Sequence, residues 1–419
     1  MFALADCNNF FVSCERVFHP ELRNKPVIVL SNNDGCAISR SNEAKALGIK
    51  MGAPLFQIKD LVARNRVAVF SSNFALYGDM SDRVQETLRQ MAPAIEVYSI
   101  DEAFLDLRGM EGKDLEAFAR EASARCLKHT GIPVSVGVAP TKTLAKIASK
   151  CCKEDPALRG GFFLSEKAAI EEVLKRFPID DVWGIGRQHT ARLKFFGVKT
   201  AFDFTRLPAE WIRQQMNITG WHTQQELLGF PCIDFAYTMP PKQQICVSRS
   251  FAKEIRDYNQ LAEQISLFTA MVCEKLRKQK SVCHQVLVFL LTDRFKPNNI
   301  HPFESRMVTF PVATDSTLEI NTRVLSCLSS FYHKGYGYKK GGVILTSLSP
   351  NQSVQLDLYD STDRQKHTRL MKTMDKINTQ IAPGLIGVGS QSPDGVIMNR
   401  RHLSPQYTTR WSDILTVKA

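Results

Sequence analysis

The chain has 419 residues, 44% of them hydrophobic and 23% charged, with a net charge of +12. That balance excludes a disordered or fibrous chain, and the length exceeds what one compact core accommodates, so two to four domains are expected. The basic excess permits a polyanionic partner such as nucleic acid without by itself requiring one.

In chain order, Phe2, Leu4 and Asp6 share one face of a short first strand. Asn8 or Asn9 is placed to cap a helix carrying Phe10, Phe11, Cys14 and Phe18. Val27 to Leu30 reads as a strand, NNDG (32–35) as a turn, and Ser41 to Leu47 as a short helix stopped by Gly48. Tyr77, Met80, Val84, Leu88 and Met91 recur at helical spacing, and the hairpin EVYSIDEAFLDL (96–107) follows. A helix with Leu115, Phe118, Ala122 and Cys126, the strand Val134 to Val138 and a helix from Thr143 complete a split βαβ arrangement, with residues 20–72 inserted.

Residues 166–240 read as short-looped helices containing the Gly184-Ile185-Gly186 turn, and MPPK (239–242) as a linker. Beyond it come the strand Cys246 to Phe251, a helix with Leu261, Ile265, Phe268, Val272 and Leu276, and strands at Val282–Leu291 and Arg306–Val312. A helix over Thr317–Phe331 and a strand over Gly342–Leu348 make this a second ferredoxin-like β-α-β-β-α-β domain. From Lys242 to Ser349 there are 15 Lys and Arg against 8 Asp and Glu, so much of the basic excess sits there. The last 70 residues, rich in Ser, Asn, Gln, Pro and Gly, read as a tail of peripheral or partner-dependent order.

The start MFALADCNNFF has an early acid and no basic leader, so no signal peptide is expected. The longest apolar run, Val286 to Leu291, is too short to span a bilayer. Eleven scattered cysteines without a C-x-x-C point to reduced thiols in a cytoplasmic protein and away from a zinc module.

Asp101 and Glu102 interrupt an otherwise apolar hairpin. Neighbours on a strand face opposite ways, yet antiparallel pairing can bring both near the end of the first strand, where Asp6 lies. Three carboxylates in one place repel unless a hard divalent cation neutralises them, and Mg²⁺ prefers a few carboxylates plus substrate phosphates. Two such ions would activate a 3′-oxygen and stabilise a leaving pyrophosphate. An isolated Asp-Glu pair is more often a solvated turn, so the neighbours must decide. Lys146, Lys150 and Lys153 follow one another at 4- and 3-residue steps on one helical face, expected to aim at a common anion. Arg40 and Lys45 flank the first turn of a short helix in the inserted segment and read as a phosphate cradle. Gly184 and Gly186, followed by Arg187, would offer backbone N–H groups to a DNA phosphate without reading sequence. A solvated basic face is the bland alternative for either basic cluster, and an ordinary helix-helix turn that uses Gly twice is the alternative for Gly184 and Gly186.

Together MFALADCNNFF (1–11), SNNDGC (31–36), EAKALGIKMG (43–52), YSIDEAFLDL (98–107), VGVAPTKTLAK (136–146) and VWGIGR (182–187) resemble the Y-family of translesion DNA polymerases, and more narrowly its UmuC branch. The likeness extends to SPQYTTR (404–410). It implies an α+β, multidomain right-hand polymerase: a ferredoxin-like palm (1–19 and 73–165), small fingers (20–72), a helix-hairpin-helix thumb (166–240) and a βαββαβ little finger (241–349), with a tail (350–419) carrying a clamp-binding peptide. It implies error-prone, template-directed synthesis in the SOS DNA-damage response, in the cytoplasm.

By resemblance, Asp6, Asp101, Glu102 and the backbone carbonyl of Cys7 would hold two Mg²⁺ ions. Phe11 would be the steric gate that excludes a ribose 2′-hydroxyl; UmuC relatives carry Tyr there and other members Phe. Phe10, Arg40, Lys45 and Lys153 would bind the dNTP, although Asn42 and Lys45 stand where other branches place Tyr and Arg. Gly184, Gly186, Arg187 and Arg249 would bind primer-template DNA. Gln355, Leu356, Leu358 and Tyr359, in QLDLY, resemble a peptide that docks on the β sliding clamp, with an ordinary amphipathic fragment as the alternative. The other implied partners are a processed UmuD-type dimer and a RecA recombinase filament; no membrane is implied. A nucleotide cyclase with a ferredoxin-like palm and a non-catalytic DNA-binding scaffold remain the rival readings. The Gly-Ile-Gly turn and second basic domain disfavour the first, and the intact acids the second. Asp106 reads as structural.

Overall fold

The structure is a computed structural model and describes residues 1–110, 112–293, 296, 303–382, 384–391 and 398–416. It divides into two units, one running from Met1 to Met239 and resuming at Arg401, the other from Pro240 to Arg400.

In the first unit β1 (Phe2–Cys7) leads into α1 (Phe10–Phe18). The inserted segment then builds β2 (Val27–Leu30), β3 (Ala37–Arg40), α2 (Asn42–Ala46), α3 (Leu55–Arg64) and β4 (Ala68–Ser71). Its strands form a small sheet in the order β3-β2-β4, with β4 parallel to β2. Only β2 and α2 were legible in the sequence, because β3 and β4 are four-residue strands of mixed burial. Asn9 holds the cap position of α1 in a left-handed conformation, but its side chain makes no capping bond and instead donates to Asn42 Oδ1 at 3.1 Å.

The chain continues through α4 (Phe74–Arg89), the hairpin β5 (Ala94–Val97) and β6 (Glu102–Asp106), α5 (Leu115–Thr130), β7 (Val134–Ala139), α6 (Lys142–Glu154) and β8 (Gly161–Phe163). The sheet order is β5-β6-β1-β7-β8. β1 therefore lies at the centre, antiparallel to both β6 and β7. This is the expected split arrangement plus one edge strand, β8, too short to show a period. Pleating sorts β6 onto two cores. Ala103 and Leu105 face a core built with α1, α4 and α5, while Phe104 joins Phe2, Leu4 and residues of α6 on the other side. The second core also takes up α7 (Lys167–Arg176), α8 (Arg187–Phe195), α9 (Ala201–Thr205) and α10 (Ala209–Leu227).

Gly137 on β7 sets the height of α6 above the sheet. A Cβ there would lie 2.1 Å from the Ser149 backbone nitrogen and 2.5 Å from the Ala145 carbonyl oxygen, so only glycine permits this approach.

The second unit has β9 (Ile245–Ile255), α11 (Tyr258–Lys278), β10 (Ser281–Thr292), β11 (Phe303–Thr314), α12 (Thr317–Phe331) and β12 (Tyr338–Pro350). The sheet order β11-β10-β12-β9, antiparallel throughout, is the ferredoxin-like topology expected from the sequence. A further helix, α13 (Arg364–Gln380), packs on this unit through buried Met371 and the Arg277–Asp375 ion pair at 2.6 Å. The tail is thus not peripheral throughout: α13 is packed, and Tyr407 enters the first unit's core. Composition reports solvation and does not see such pairings across hundreds of residues. Among the described residues no helix is long and apolar enough to cross a membrane.

Candidate active site

The register of β1 and β6 places Asp6 directly opposite Glu102 and Ala5 opposite Ala103. A slip of one residue would turn every side chain of β6 to the other face, so the two buried cores enforce this pairing. Asp101 occupies the bend before β6, where its carbonyl accepts the Cys7 N–H at 2.8 Å. Ser99 shapes that bend. Its hydroxyl accepts from the backbone N–H groups of Asp101 and Glu102, at 3.2 and 3.0 Å, and donates to Asp101 Oδ1 at 2.5 Å. Sequence reasoning passed over Ser99, although a Ser two residues before an acid in a bend is a turn-forming signal. The adjacent acids need no common face: Glu102 follows the pleat and Asp101 belongs to the turn.

From α6, Lys153 Nζ reaches Asp6 Oδ2 at 2.5 Å and Lys146 Nζ reaches both Glu102 oxygens at 2.9 and 2.8 Å. Lys150 pairs with Asp181 at 2.5 Å. The three lysines do border one cavity of about 710 Å³ with Asp6 and Glu102, but each ammonium takes a different carboxylate. Lys142 is buried and turned inward. Its ammonium pairs with Glu96 at 2.6 Å, donates to the Asp234 carbonyl at 2.7 Å and lies 5.0 Å from the centre of the Phe104 ring.

Burial pushes the Asp6 carboxyl up to about 6 despite the neighbouring Lys153 ammonium, and the charges of Glu102 and Asp101 add to the rise. Among the described residues no three metal-ligating side chains are drawn round one point as they stand, since Asp6 and Glu102 are held by lysines. The donor set still suits a hard cation. It consists of carboxylate oxygens in close register, and one of them strains against burial as an anion.

Phe11 stacks on the Tyr77 ring, with centroids 4.6 Å apart, and meets Phe74 edge-on at 5.9 Å. The Tyr77 hydroxyl in turn donates to buried Glu15 at 2.6 Å. Phe10, Phe11, Asp6, Cys7 and Asp101 line a second cavity, of about 230 Å³, together with Arg40, Lys45 and Lys153. Burial lowers the Lys45 ammonium from its usual range, and the Arg40 and Lys153 charges lower it further. Arg40 donates to the Ile49 carbonyl at 2.6 Å and keeps a buried Nε without a partner. Three cations facing one another in this way would gain from an anion between them.

The other candidates are not among the residues that line these cavities. Gly184 has φ +88°, Gly186 caps α8, and exposed Arg187 is the first residue of that helix. Arg249 belongs to β9 of the second unit, where burial and the charge of Arg400 lower its guanidinium. Gln355, Leu356, Leu358 and Tyr359 are exposed, Leu358 at 92%. Asp106 is structural: it accepts from Arg108 at 2.6 Å and Tyr237 at 2.8 Å, chiefly the Arg108 bonds holding its carboxyl down at about 2.

Residues 5–150 match the impB/mucB/samB family, residues 242–358 its C-terminal domain, and residues 368–417 a domain of unknown function, DUF4113. The chain is 40% identical to protein UmuC of Salmonella typhimurium over 100% of both chains, and 39% identical to protein ImpB of the same species over 99% of both. A solved Y-family DNA polymerase chimera (Dbh-Dpo4-Dbh) shares the fold with a TM-score of 0.67 at 19% identity, over 84% of this chain and 100% of that one. Set beside the Asp6–Glu102 register, these likenesses show that the chain belongs to the impB/mucB/samB family, the UmuC branch of the Y-family DNA polymerases.

Proposed function

We propose that the chain carries out its family's template-directed, error-prone translesion synthesis at the cavity shared by Asp6, Asp101, Phe11, Arg40, Lys45 and Lys153. That shared cavity carries the reading, because it sets carboxylates, a flat ring and three cations around one space of nucleotide-like chemistry. The sheet of β1 and β5–β8 with α4–α6 serves as palm, residues 20–72 as fingers, the helices α7–α10 as thumb and the second unit's sheet as little finger.

Two Mg²⁺ ions would be held by Asp6, Asp101, Glu102 and the Cys7 carbonyl, supplying the charge that activates a primer 3′-oxygen and steadies the leaving pyrophosphate. The chain's own residues do the rest. Arg40 and Lys45 accept the triphosphate from one side and Lys153 from the other, which requires Lys153 to release Asp6. The Phe11 ring lies where a sugar would stack, leaving no volume for a 2′-hydroxyl, and Phe10 stands beside it. The Gly184–Gly186 turn with Arg187, and Arg249, contact the primer-template backbone, which carries no sequence information. Fingers of about fifty residues press little on the nascent base pair, and weak shape selection admits damaged templates.

The exposed QLDLY segment docks on a β sliding clamp, raising effective concentration at a primer end. A processed UmuD-type dimer and a RecA filament complete the assembly in the cytoplasm. The test is Mg²⁺-dependent primer extension across an abasic template, with Asp101→Asn and Glu102→Gln as controls. Both substitutions should abolish extension; extension that survives both would overturn the assignment.

A further inference from the structure

The C-terminal segment recrosses the molecule at a telling place. Residues 20–72 are inserted between α1 and α4, so the inserted layer joins the rest of its unit through two connections, near residue 19 and near residue 72. Residues 401–407 run over both. The Arg401 N–H donates to Asp34 Oδ2 at 2.8 Å, and the Ser71 hydroxyl donates to the other oxygen of that carboxylate at 2.6 Å. His402 exchanges two bonds with Ser71, its N–H donating to Oγ at 3.0 Å and its carbonyl accepting from the Ser71 N–H at 2.9 Å. Tyr407 stacks on Phe18 with centroids 4.5 Å apart, and its hydroxyl lies 3.0 Å from His19 Nε2.

Between these anchors sits Ser404, which is buried. Its hydroxyl accepts from Asn73 Nδ2 at 3.0 Å and donates to Glu15 Oε1 at 3.0 Å. Glu15 is fully buried, and its other oxygen has no partner. The Oε1 that Ser404 supports is the oxygen that receives the Tyr77 hydroxyl. The Tyr77 ring is the surface on which Phe11 stacks, and Phe74, beside it on α4, meets Phe11 edge-on. A second route runs through Asn73. While its amide grips Ser404 and the Pro405 carbonyl, its Oδ1 caps α4 by accepting the Leu76 N–H at 3.3 Å.

We propose that residues 401–407 form a strap whose Ser404, acting through Glu15 and Tyr77, positions the Phe11 ring and thereby tunes discrimination between deoxyribose and ribose. The proposal rests on the reading of Phe11 as steric gate, and it assigns a role to part of the segment that matches a domain of unknown function. Ser404 touches no substrate; it is a positioning residue. A ring that excludes one oxygen atom works only if its position is held to a fraction of an ångström, and Tyr77 can hold it only while its own hydroxyl is anchored. Glu15 is the anchor. Without Ser404 its buried carboxylate keeps one hydrogen-bond donor where it had two.

The experiment compares kcat/KM for a dNTP with that for the matching rNTP, in the full chain, under conditions in which the wild type extends a primer. Ser404→Ala should raise the rNTP share by roughly 3- to 10-fold, the scale of one lost charge-assisted hydrogen bond partly transmitted to the ring. The dNTP kcat should stay within about twofold, and Ser404→Thr, which keeps the hydroxyl, should restore the wild-type ratio. Tyr407→Leu loosens the strap away from Glu15 and should shift the ratio in the same direction, which covers the case of an unstable Ser404→Ala protein. Phe11→Ala is run in parallel. If it relaxes sugar selection while Ser404→Ala and Tyr407→Leu do not, the strap is only structural and the proposal is wrong. If Phe11→Ala itself changes nothing, the gate reading falls and the strap proposal with it.

Discussion

Asp6→Asn should stabilise the first unit at neutral pH, in the absence of divalent cations, while abolishing synthesis. The folded carboxyl sits at about 6 against an ordinary 3.8, chiefly because it is buried. That gap of roughly two pH units corresponds to about 3 kcal/mol against the ionised native form. The sign follows from proton binding. Below the unfolded value both states hold the proton and the charge costs nothing. As pH rises towards 6 the unfolded chain releases its proton first, so native stability falls, and above 6 the whole cost is present. Asn carries no charge at any pH, so the stability difference should be near zero at pH 3 and approach about 3 kcal/mol in favour of the variant by pH 8. All four tryptophans (183, 211, 221 and 411) lie in the first unit, so urea unfolding followed by their fluorescence, with a chelator present, reads that unit alone. Saturating Mg²⁺ should stabilise the wild type and not the variant, closing the gap. A difference that is flat with pH, or a wild type more stable than the variant at pH 8, would refute burial as the dominant influence on Asp6.

Other outcomes follow from the same geometry. Lys142→Met removes the buried ammonium that pairs with the partly buried Glu96 carboxylate and should lower stability by about 3 kcal/mol, with Glu96→Gln in the same chain recovering much of the loss; strictly additive costs in urea unfolding would contradict the pairing. Lys153→Ala takes away the charge that holds Asp6 down, so the acid limb of kcat/KM should move to higher pH and KM for dNTP should rise. Leu358→Ala combined with Tyr359→Ala should remove most clamp affinity in a direct binding assay while unfolding midpoints stay put, because both side chains are exposed.

Much of the site was legible because its parts are local. The apolar alternation of AFLDL gives the strand, the acids interrupt it, and VGVAPTKTLAK spells a strand, a turn and a helix start. The ferredoxin-like order of the second unit likewise follows from segments of 11 to 21 residues with clear periods. What periodicity cannot report is which carboxylate a lysine meets. Lys142, Lys146, Lys150 and Lys153 look alike along α6, yet one is buried on Glu96 and the others take Glu102, Asp181 and Asp6.

By itself the sequence determined the elements, the two ferredoxin-like sets and the identity of the acids, since these depend on neighbours a few residues apart. Only the tertiary structure decided that Asp6 stands opposite Glu102, that Ser99 folds the bend, and that Ser404 reaches Glu15 across 389 positions of chain. Those contacts are chosen by how buried faces and hydrogen-bond partners are satisfied together, and no local window of sequence contains both members of the pair.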